Sequence, residues 1–450
     1  MTEKLRAILG DIPKTWEVAL LEDIATFITK GGTPTTYGHA WASEADGVPF
    51  FRSECVTDAG LLEKGMNYIS EAAHQLMQRS EVARGDLLMT ITGNIGRVAR
   101  VPEKFKRANI NQHIARIRVE SKANTNYIYQ ALKHEGYAKH YAAILTGQAY
   151  PQISLQQVRE TPVALPPLPE QQKIAAILTT VDDKLDVIAR QISATQTLKQ
   201  GLMQTLFTRG AGTPDAQGRW HPHTAFQDTE LGRIPVGWRV VTVNDLGELK
   251  NGINKAKEDF GHGGPFVNLM DVFGKTSIQP ADFGLVATTE REREDFSLKA
   301  GDFLFIRSSV KPSGVGLAAL VETDLTGAVY SGFLIRLRSA REGVESRFLM
   351  HFFASDVFRK CLLPKSTISA NTNINQGALG SLPVVIPGAL EQRCIAGVLD
   401  KLDQKLQALA TKQTHYQSLK RGLMQKLLTG QWRVRVDAAT LAPVNEEAPA

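Results

Sequence analysis

Polar and basic side chains gather in short segments of the first half of the chain, and their chemistry suits DNA. Lysine and arginine neutralise phosphates, and the side-chain amides of Asn and Gln match the donor and acceptor of adenine in the major groove. Asn109 and His113 are candidates for base contact. The other predicted DNA-contacting residues in this half are Thr92, Asn94, Arg97, Lys104, Lys106, Arg107, Asn111, Gln112, Gln148, Tyr150 and Gln152.

The second half carries the same kinds of side chain at corresponding places. Any one such cluster is more often a solvated loop, but its recurrence in both halves favours a binding role. The predicted DNA-contacting residues in this half are Arg307, Ser308, Ser309, Lys311, Lys365, Thr367, Asn371 and Asn373.

The sequence does not contain a recognisable set of catalytic residues. Gly274-Lys275-Thr276 is similar to the end of a phosphate-binding loop, but the glycine required five residues earlier is Leu269, so the segment is interpreted as a turn. Dinucleotide-binding, zinc-protease and nucleophile-elbow motifs are absent, and the histidines lack the spacing of metal ligands. We therefore predict no catalytic residues and no metal ligands in this chain.

Composition indicates a globular protein of two to four domains with a weak preference for polyanions. The chain has 450 residues, 43% of them apolar, and a net charge of +6. Cys55, Cys361 and Cys394 lie far apart, which disfavours zinc fingers and disulfides and favours the reducing cytoplasm. Because no run of about 18 apolar residues occurs, we expect a cytoplasmic protein without a membrane span.

The elements that position these segments are duplicated along the chain. The repeated segments are Leu9–Trp16 with Leu231–Trp238, Gly85–Leu88 with Gly301–Leu304, and Ile114–Arg118 with Leu334–Arg338. Glu170 to Thr208 then repeats without a gap as Glu391 to Thr429, 221 positions later. Each half therefore has a segment of variable length followed by one of fixed length, as expected for recognition loops followed by packed helices.

Both fixed segments are predicted to be helices of about 39 residues that pair with each other. Apolar residues recur at steps of four and three, the 3.5-residue period of a coiled coil. The predicted coiled-coil residues are Ile174, Leu178, Val181, Leu185, Ile188, Ile395, Leu399, Leu402, Leu406 and Leu409. Thr195, Lys199, Gln413 and Lys420 interrupt the pattern, so we expect a stutter or splaying near the middle. Two unrelated helices, each packed on its own domain, are the alternative.

The predicted fold class is α+β, with two pseudo-symmetric α/β domains separated by two long helices in an antiparallel coiled coil. The recognition domains are residues 1–168 and 231–387, and the helices are residues 169–209 and 388–430. Residues 210–230 are predicted to be a linker and residues 431–450 a partly disordered tail. Within the domains, Leu87–Ile91 and Ile114–Val119 are predicted strands, and Tyr127–His140 and Ser346–Lys360 are each predicted to be one helix.

These motifs, in this order and duplicated, resemble the specificity subunits of type I restriction–modification systems. The resemblance covers Leu9 to Thr429 and includes the turn Gly31-Gly32-Thr33-Pro34 and the helix starts at Glu170-Gln171 and Glu391-Gln392. It implies two target recognition domains that read the halves of a split DNA site, and helices that act as a ruler. Gly-Gly-Thr-Pro is absent at Asn251–Lys257, which leaves the corresponding contacts of the second half in doubt.

The same resemblance implies partners that carry the chemistry. Two modification subunits would bind S-adenosylmethionine and methylate adenine, and restriction subunits would use ATP and Mg²⁺, while this chain would hold no cofactor. Two alternatives stay open: a stand-alone DNA-binding regulator or scaffold, and a self-contained DNA methyltransferase or nuclease. Copurification with a larger methyltransferase discriminates against the first, and activity of the isolated chain would establish the second.

Overall fold

The chain divides into two compact units, each built from one globular segment and parts of both long helices. The computed structural model describes residues 2–146, 151–368 and 371–435. Unit 1 comprises Met1–Ala189 and Thr411–Ala450, and unit 2 comprises Arg190–Ala410. The predicted residues Gln148 and Tyr150, and the tail from residue 436 onward, lie outside the described residues.

Unit 1 contains a four-stranded sheet, a five-stranded sheet, two two-stranded sheets and five short α-helices besides the long ones, within the residues that are described. The four-stranded sheet has the order Val98–Arg100, Leu87–Thr90, Ile114–Val119 and Ala25–Lys30, all antiparallel. The five-stranded sheet has the order Trp41–Ala42, Asn67–Ile69, Val48–Phe51, Ala108–Ile110 and Glu81–Val82. The short helices are Thr2–Leu9, Glu71–Leu76, Thr125–Leu132, Glu135–Ala143 and Leu155–Arg159.

Unit 2 repeats this plan with a larger central sheet. Its strand order is Gly247–Asn251, Leu334–Ser339, Asp302–Ile306, Ala318–Val321 and Ser277–Ile278. A second sheet contains Gly284–Val286, Phe260–Val267 and Val329–Tyr330, and a third contains Ser308–Ser309, Thr372–Asn373 and Thr367–Ile368. The short helices are Leu269–Val272, Glu290–Asp295, Ser346–Phe353, Asp356–Leu362 and Gln376–Gly380. All residues of Asp302–Ile306 are buried, which explains the apolar composition of this central strand.

In each unit, a strand leading into a long helix pairs with the first strand after the repeated tryptophan. Pro162–Leu165 pairs with Glu17–Leu20 in unit 1, and Pro383–Ile386 pairs with Arg239–Thr242 in unit 2. The strands end just before Pro166 and Pro387, because proline has no backbone N–H to continue the hydrogen bonds of a sheet.

The two long helices comprise Leu168–Thr208 (41 residues) and Ala389–Leu427 (39 residues). Parts of both pack together in each unit, in opposite directions. In unit 1, Ile174 and Leu178 share a core with Met424 and Leu427. In unit 2, the core that contains Ile395 and Leu399 includes Leu206 and Phe207. The predicted antiparallel pairing of two long helices is therefore confirmed.

Two secondary-structure predictions are wrong in detail. Each single helix predicted over Tyr127–His140 and Ser346–Lys360 is two helices. The break occurs because His134 and Ser355 each use a side chain to cap a new helix, accepting from the backbone N–H of Gly136 and Phe358 respectively.

The predicted linker, residues 210–230, contains ordered structure. One hairpin joins Thr213–Pro214 to Trp220–His221, and a second joins Phe226–Thr229 to Gly232–Pro235. Among the described residues, no helix has both the length and the apolar character needed to cross a lipid bilayer.

Candidate nucleic-acid interface

The duplicated Gly-Asp motif anchors the sheet beside the predicted recognition segments. Asp86 is buried and accepts two hydrogen bonds from the guanidinium of Arg118, at 2.7 and 2.8 Å. Asp302 accepts from Arg338 in the same way, at 2.8 and 2.6 Å. This charge-assisted contact raises the pKa of both arginines. The duplicated Gly-Asp motif thus has a structural role in both units.

The repeated tryptophan binds the glutamate that begins each long helix. Trp16 donates its indole N–H to Glu170 at 3.3 Å, and Trp238 donates to Glu391 at 2.8 Å. Both carboxylates are buried. The sequence revealed these residues as repeated motifs, but did not reveal that they contact each other.

Different groups complete the two glutamate sites. Glu170 binds the guanidinium of Arg433 at 2.7 and 2.8 Å. Glu391 instead accepts from His223 and from the backbone N–H groups of Ala211 and Gly212, at 2.9 to 3.0 Å. Residues after each long helix therefore bind the carboxylate at the start of the other long helix.

In unit 1, the backbone brings three of the predicted DNA-contacting segments together. Thr92 forms an antiparallel bridge with Gln152, which also pairs with Thr146. The N–H of Ile153 donates to the carbonyl of Ile91, and the N–H of Ile91 donates to the carbonyl of His113. The segments around residues 92, 113 and 152 thus form one surface region, although they are distant in sequence.

Unit 2 has the same backbone arrangement with different side chains. Ser308 pairs with Asn373, which also pairs with Thr367. The N–H of Ile374 donates to the carbonyl of Arg307, whose own N–H donates to the carbonyl of Phe333. These bonds make Arg307, Ser308, Phe333 and Asn373 the counterparts of Ile91, Thr92, His113 and Gln152.

The missing Gly-Gly-Thr-Pro turn does not remove the close backbone approach in unit 2. At Gly31, a Cβ atom would lie 1.7 Å from the carbonyl oxygen of Ile110, and at Gly252 it would lie 2.2 Å from that of Ser331. Both positions accept only glycine because the neighbouring backbone fills the space. The turn of unit 1 has a further contact, in which the hydroxyl of Thr33 donates to the side-chain oxygen of Gln112 at 2.7 Å.

The predicted DNA-contacting residues differ in how accessible they are. Exposed residues are Asn94, Lys104, Lys106, Arg107, Gln112, Gln152, Lys311, Lys365, Thr367 and Asn371. Half-buried residues are Thr92, Arg97, Arg307, Ser308, Ser309 and Asn373. Their roles in DNA binding stay predictions.

Several of the predicted cations already have partners within the chain. Lys104 contacts Glu63, and Arg107 binds Glu71 at 2.7 Å. Lys365 donates to the hydroxyl of Ser381 at 2.9 Å. Arg97 lies 3.5 Å from Asp58. Exposed ion pairs such as those of Lys104 and Arg107 contribute little to the free energy of folding.

The prediction that Asn109 reads a base edge is wrong. Asn109 is fully buried, and its side chain donates to the carbonyl of Met77 and the hydroxyl of Ser80 while contacting His74 at 2.6 Å. Asn111 is also buried, and its side-chain oxygen accepts from the N–H of His113. Asn111 therefore stabilises the backbone turn that leads to His113.

The predicted coiled-coil residues lie on the inner sides of the long helices to different depths. Buried members are Ile174, Leu178, Val181, Ile188, Ile395, Leu399 and Leu409. Half-buried members are Leu185, Leu402 and Leu406. Two of the interrupting residues form ion pairs between the helices: Lys199 binds Asp403 at 2.5 Å in unit 2, and Lys420 binds Asp182 at 2.6 Å in unit 1.

A histidine joins this charged contact in unit 2. His351 is buried, and its ring nitrogens lie 2.9 Å from Asp400 and 3.9 Å from Asp403. The equivalent residue of unit 1 is Gln130, whose side-chain amide donates to Asp182. Burial lowers the pKa of His351 despite the nearby carboxylate of Asp400. Sequence reasoning overlooked this residue because a lone histidine carries no spacing signal.

An apolar recess in unit 2 was also missed by sequence reasoning. It has a volume of about 480 Å³ and contains the predicted residues Ser308, Ser309, Lys311 and Asn371. Its remaining lining residues are Asn268, Leu269, Met270, Phe273, Val310 and Phe333. Among the described residues, no cluster of His, Cys, Asp and Glu could hold a metal ion.

Comparison with known families decides what this duplicated arrangement is. The model of the type I restriction modification DNA specificity domain matches twice, at residues 13–195 and 235–416. The chain belongs to this family. Each match contains one complete set of recognition segments and most of one long helix.

Known relatives are similar over nearly the whole chain. A putative type I restriction enzyme MjaX specificity subunit of Methanocaldococcus jannaschii is 26% identical over 447 residues, which cover 95% of this chain and 96% of the relative. The MjaVIII specificity subunit of the same organism is 24% identical, with 94% of each chain covered.

Solved structures share the fold of this chain. A specificity subunit from M. genitalium aligns with a TM-score of 0.55 at 14% identity, covering 93% of this chain and 96% of its own. A chain from a type I restriction–modification system aligns with a TM-score of 0.54 at 17% identity, covering 94% and 100%. These similarities and the family match confirm the predicted fold class and family resemblance.

Proposed function

We propose that this chain is the sequence-specific DNA-binding subunit of a type I restriction–modification enzyme, and that it reads a bipartite target with an unread spacer. One observation carries the proposal: Ser308 and Asn373 repeat the backbone pairing of Thr92 and Gln152 while offering different side chains. Two recognition surfaces that share a backbone arrangement but differ in their side chains are suited to two half-sites of different sequence.

The long helices set the spacer in this proposal. A helix of 41 residues is roughly 60 Å long at 1.5 Å per residue. That length, less the part covered by the recognition domains, is commensurate with about a dozen base pairs at 3.4 Å each. The helix pair is therefore proposed as a ruler that fixes the distance between the half-sites.

The chemistry belongs to partner subunits in this proposal. Two modification subunits would bind S-adenosylmethionine and methylate adenine, and restriction subunits would use ATP and Mg²⁺. This chain contributes recognition and no catalysis, in keeping with its family. A cytoplasmic location follows from the DNA target and is part of the proposal.

Adenine methylation tests the function directly. Genomic methylation is mapped in the host with the gene intact, deleted, and restored on a plasmid. We expect one bipartite motif to lose methylation on deletion and regain it on restoration. The same tagged chain should copurify with a larger methyltransferase in two copies. An unchanged methylation map, with the chain purifying alone, would instead favour a stand-alone regulator or scaffold.

Activity of the purified chain separates the remaining alternative. The isolated chain is incubated with S-adenosylmethionine and a duplex that contains the mapped motif, with the copurified complex as the positive control. We expect methyl transfer by the complex only. Methyl transfer or cleavage by the isolated chain would identify it as a self-contained enzyme.

A further inference from the structure

The recess in unit 2 is an apolar surface within a region otherwise suited to polar contacts. Met270 is 71% exposed, Val310 81% and Phe333 55%. Together with Phe273 they surround the recess that Asn371 also lines. An apolar patch beside polar residues on a recognition surface marks a binding site more often than a chance exposure.

Among the residues that the structure describes, the counterparts of Phe333 and Met270 in unit 1 are polar. The shared backbone bonds align Phe333 with His113. In unit 2, Val267 pairs with Tyr330, and in unit 1 the equivalent pair is Phe51 with Ile110. The residues that follow are therefore equivalent too, so Asn268–Met270 of unit 2 corresponds to Arg52–Glu54 of unit 1. Met270 thus occupies the place of Glu54, which is paired with Arg52 in unit 1 at 3.1 Å.

One group on duplex DNA matches an apolar recess that is rimmed by amides and hydroxyls. The C5-methyl group of thymine projects into the major groove beside hydrogen-bonding base edges. Apolar side chains contact that methyl group, while Asn and Ser bind the neighbouring polar edges. Lys311, at the rim, is placed to neutralise a phosphate.

We propose that this recess binds the methyl group of a thymine in the half-site read by unit 2. The inference rests on the proposed function, since it assigns base chemistry to one of two DNA readers. Phe333 and Met270 form the apolar contact, and Asn371 and Ser308 lie next to it as polar neighbours. The half-site bound by unit 2 then requires thymine at one base pair.

Photochemical crosslinking locates the contact. The chain is purified with its partner subunits and bound to the mapped target duplex, in which 5-iodouracil replaces each thymine of both half-sites in turn. We expect one position to crosslink to Phe273 or Phe333, identified by mass spectrometry. Crosslinks that map only to unit 1 or to a partner subunit would overturn the proposal, as would a unit 2 half-site without an A·T pair.

Removal of the methyl group measures the contact without altering the protein. Deoxyuridine replaces the crosslinked thymine, and we expect the complex to bind about fourfold more weakly, the value for burial of one methyl group. In the Phe333→His variant, which carries the residue of unit 1, thymine and uracil should bind equally. Phe260→His is the control, because Phe260 is an exposed phenylalanine of unit 2 outside the recess.

The outcomes separate this inference from the proposed function. If the complex fails to prefer its mapped duplex over unrelated DNA, the proposed function fails. If it prefers that duplex but uracil changes its affinity by less than twofold, only the thymine inference fails.

Discussion

Trp238, which directly precedes the strand Arg239–Thr242, donates its indole N–H to Oε2 of Glu391 at the start of the second long helix, at 2.8 Å. Glu391 also accepts three further hydrogen bonds on Oε1. The equivalent contact of Trp16 with Glu170 shows that each domain is attached to its helix through the same pair of residues.

Glutamine at position 391 should destabilise unit 2. Glu391→Gln keeps the shape of the side chain but replaces an acceptor oxygen with an amide, which leaves at least one buried donor without a partner. We expect a loss of roughly 2–3 kcal/mol in the free energy of unfolding. Urea denaturation of the full chain measures it.

Two variants serve as comparisons for this prediction. Glu342→Gln changes an exposed glutamate of the same unit and should be nearly neutral. Glu170→Gln should cost less than Glu391→Gln because Arg433 is 46% exposed and can turn towards water. Equal losses at positions 391 and 342 would show that the carboxylate network is not stabilising.

Glutamine at position 351 should make unit 2 less sensitive to acid. Burial lowers the pKa of His351 in the folded chain, so the unfolded chain binds protons first as pH falls. Folded unit 2 therefore loses stability below about pH 6.5, the ordinary pKa of histidine. His351→Gln, which introduces the residue that unit 1 has at position 130, should flatten this dependence.

Thermal or urea unfolding from about pH 7 down to about pH 5 measures the effect. The charged groups around His351 are Asp400, Asp403 and Lys199, and Arg347 lies 4.0 Å from Asp400; the variant leaves all four in place. A variant whose stability falls as steeply with acid as that of the wild type would contradict the assignment.

Alanine at position 311 should weaken DNA binding evenly across sequences. Lys311 is exposed two residues after the strand Ser308–Ser309, and we expect its ammonium group to contact a DNA phosphate. Loss of one phosphate contact reduces the slope of log K against log salt by about 0.9. Lys299→Ala is the matched control, since Lys299 is exposed at the opposite end of the central strand Asp302–Ile306. A slope unchanged in Lys311→Ala would place phosphate binding elsewhere.

One added helical turn in both long helices should lengthen the spacer of the target. Four residues inserted after Ala189 and after Ala410, positions related by the repeat, add about 6 Å to each helix. At 3.4 Å per base pair this corresponds to an increase of up to about two base pairs. Methylation mapping reads the new spacer, and insertion into one helix alone should disrupt the pairing. A double-insertion variant that folds and still methylates sites with the original spacer would contradict the proposal that the helix pair sets the spacer length.

Sequence periodicity predicted the long helices well because each depends mainly on local rules. A run of apolar residues with a 3.5-residue period and no interior proline defines a helix wherever it occurs. The interruptions at Lys199 and Lys420 were visible, but their ion pairs with Asp403 and Asp182 depend on which residues the partner helix presents. The break at His134 was missed because a histidine cap has little statistical weight.

The candidate interface was predicted by residue type, and the structure divides those residues by position. Asn109 and Asn94 look alike in sequence, but Asn109 lies in a buried strand and Asn94 in an exposed turn. The sequence analysis did not single out Met270 and Phe333, because apolar side chains are usually buried. Only the folded structure shows that both are exposed.

The sequence by itself determined the duplication, the helices, the absence of recognisable catalytic motifs and the family resemblance, because repeats, periods and motifs are properties of the order of residues. Only the tertiary structure decided that Glu391 binds Trp238 and that Ser308 lies beside Asn373. The physical reason is that hydrogen bonds and burial depend on distance in space, which strand pairing sets between residues more than 60 positions apart.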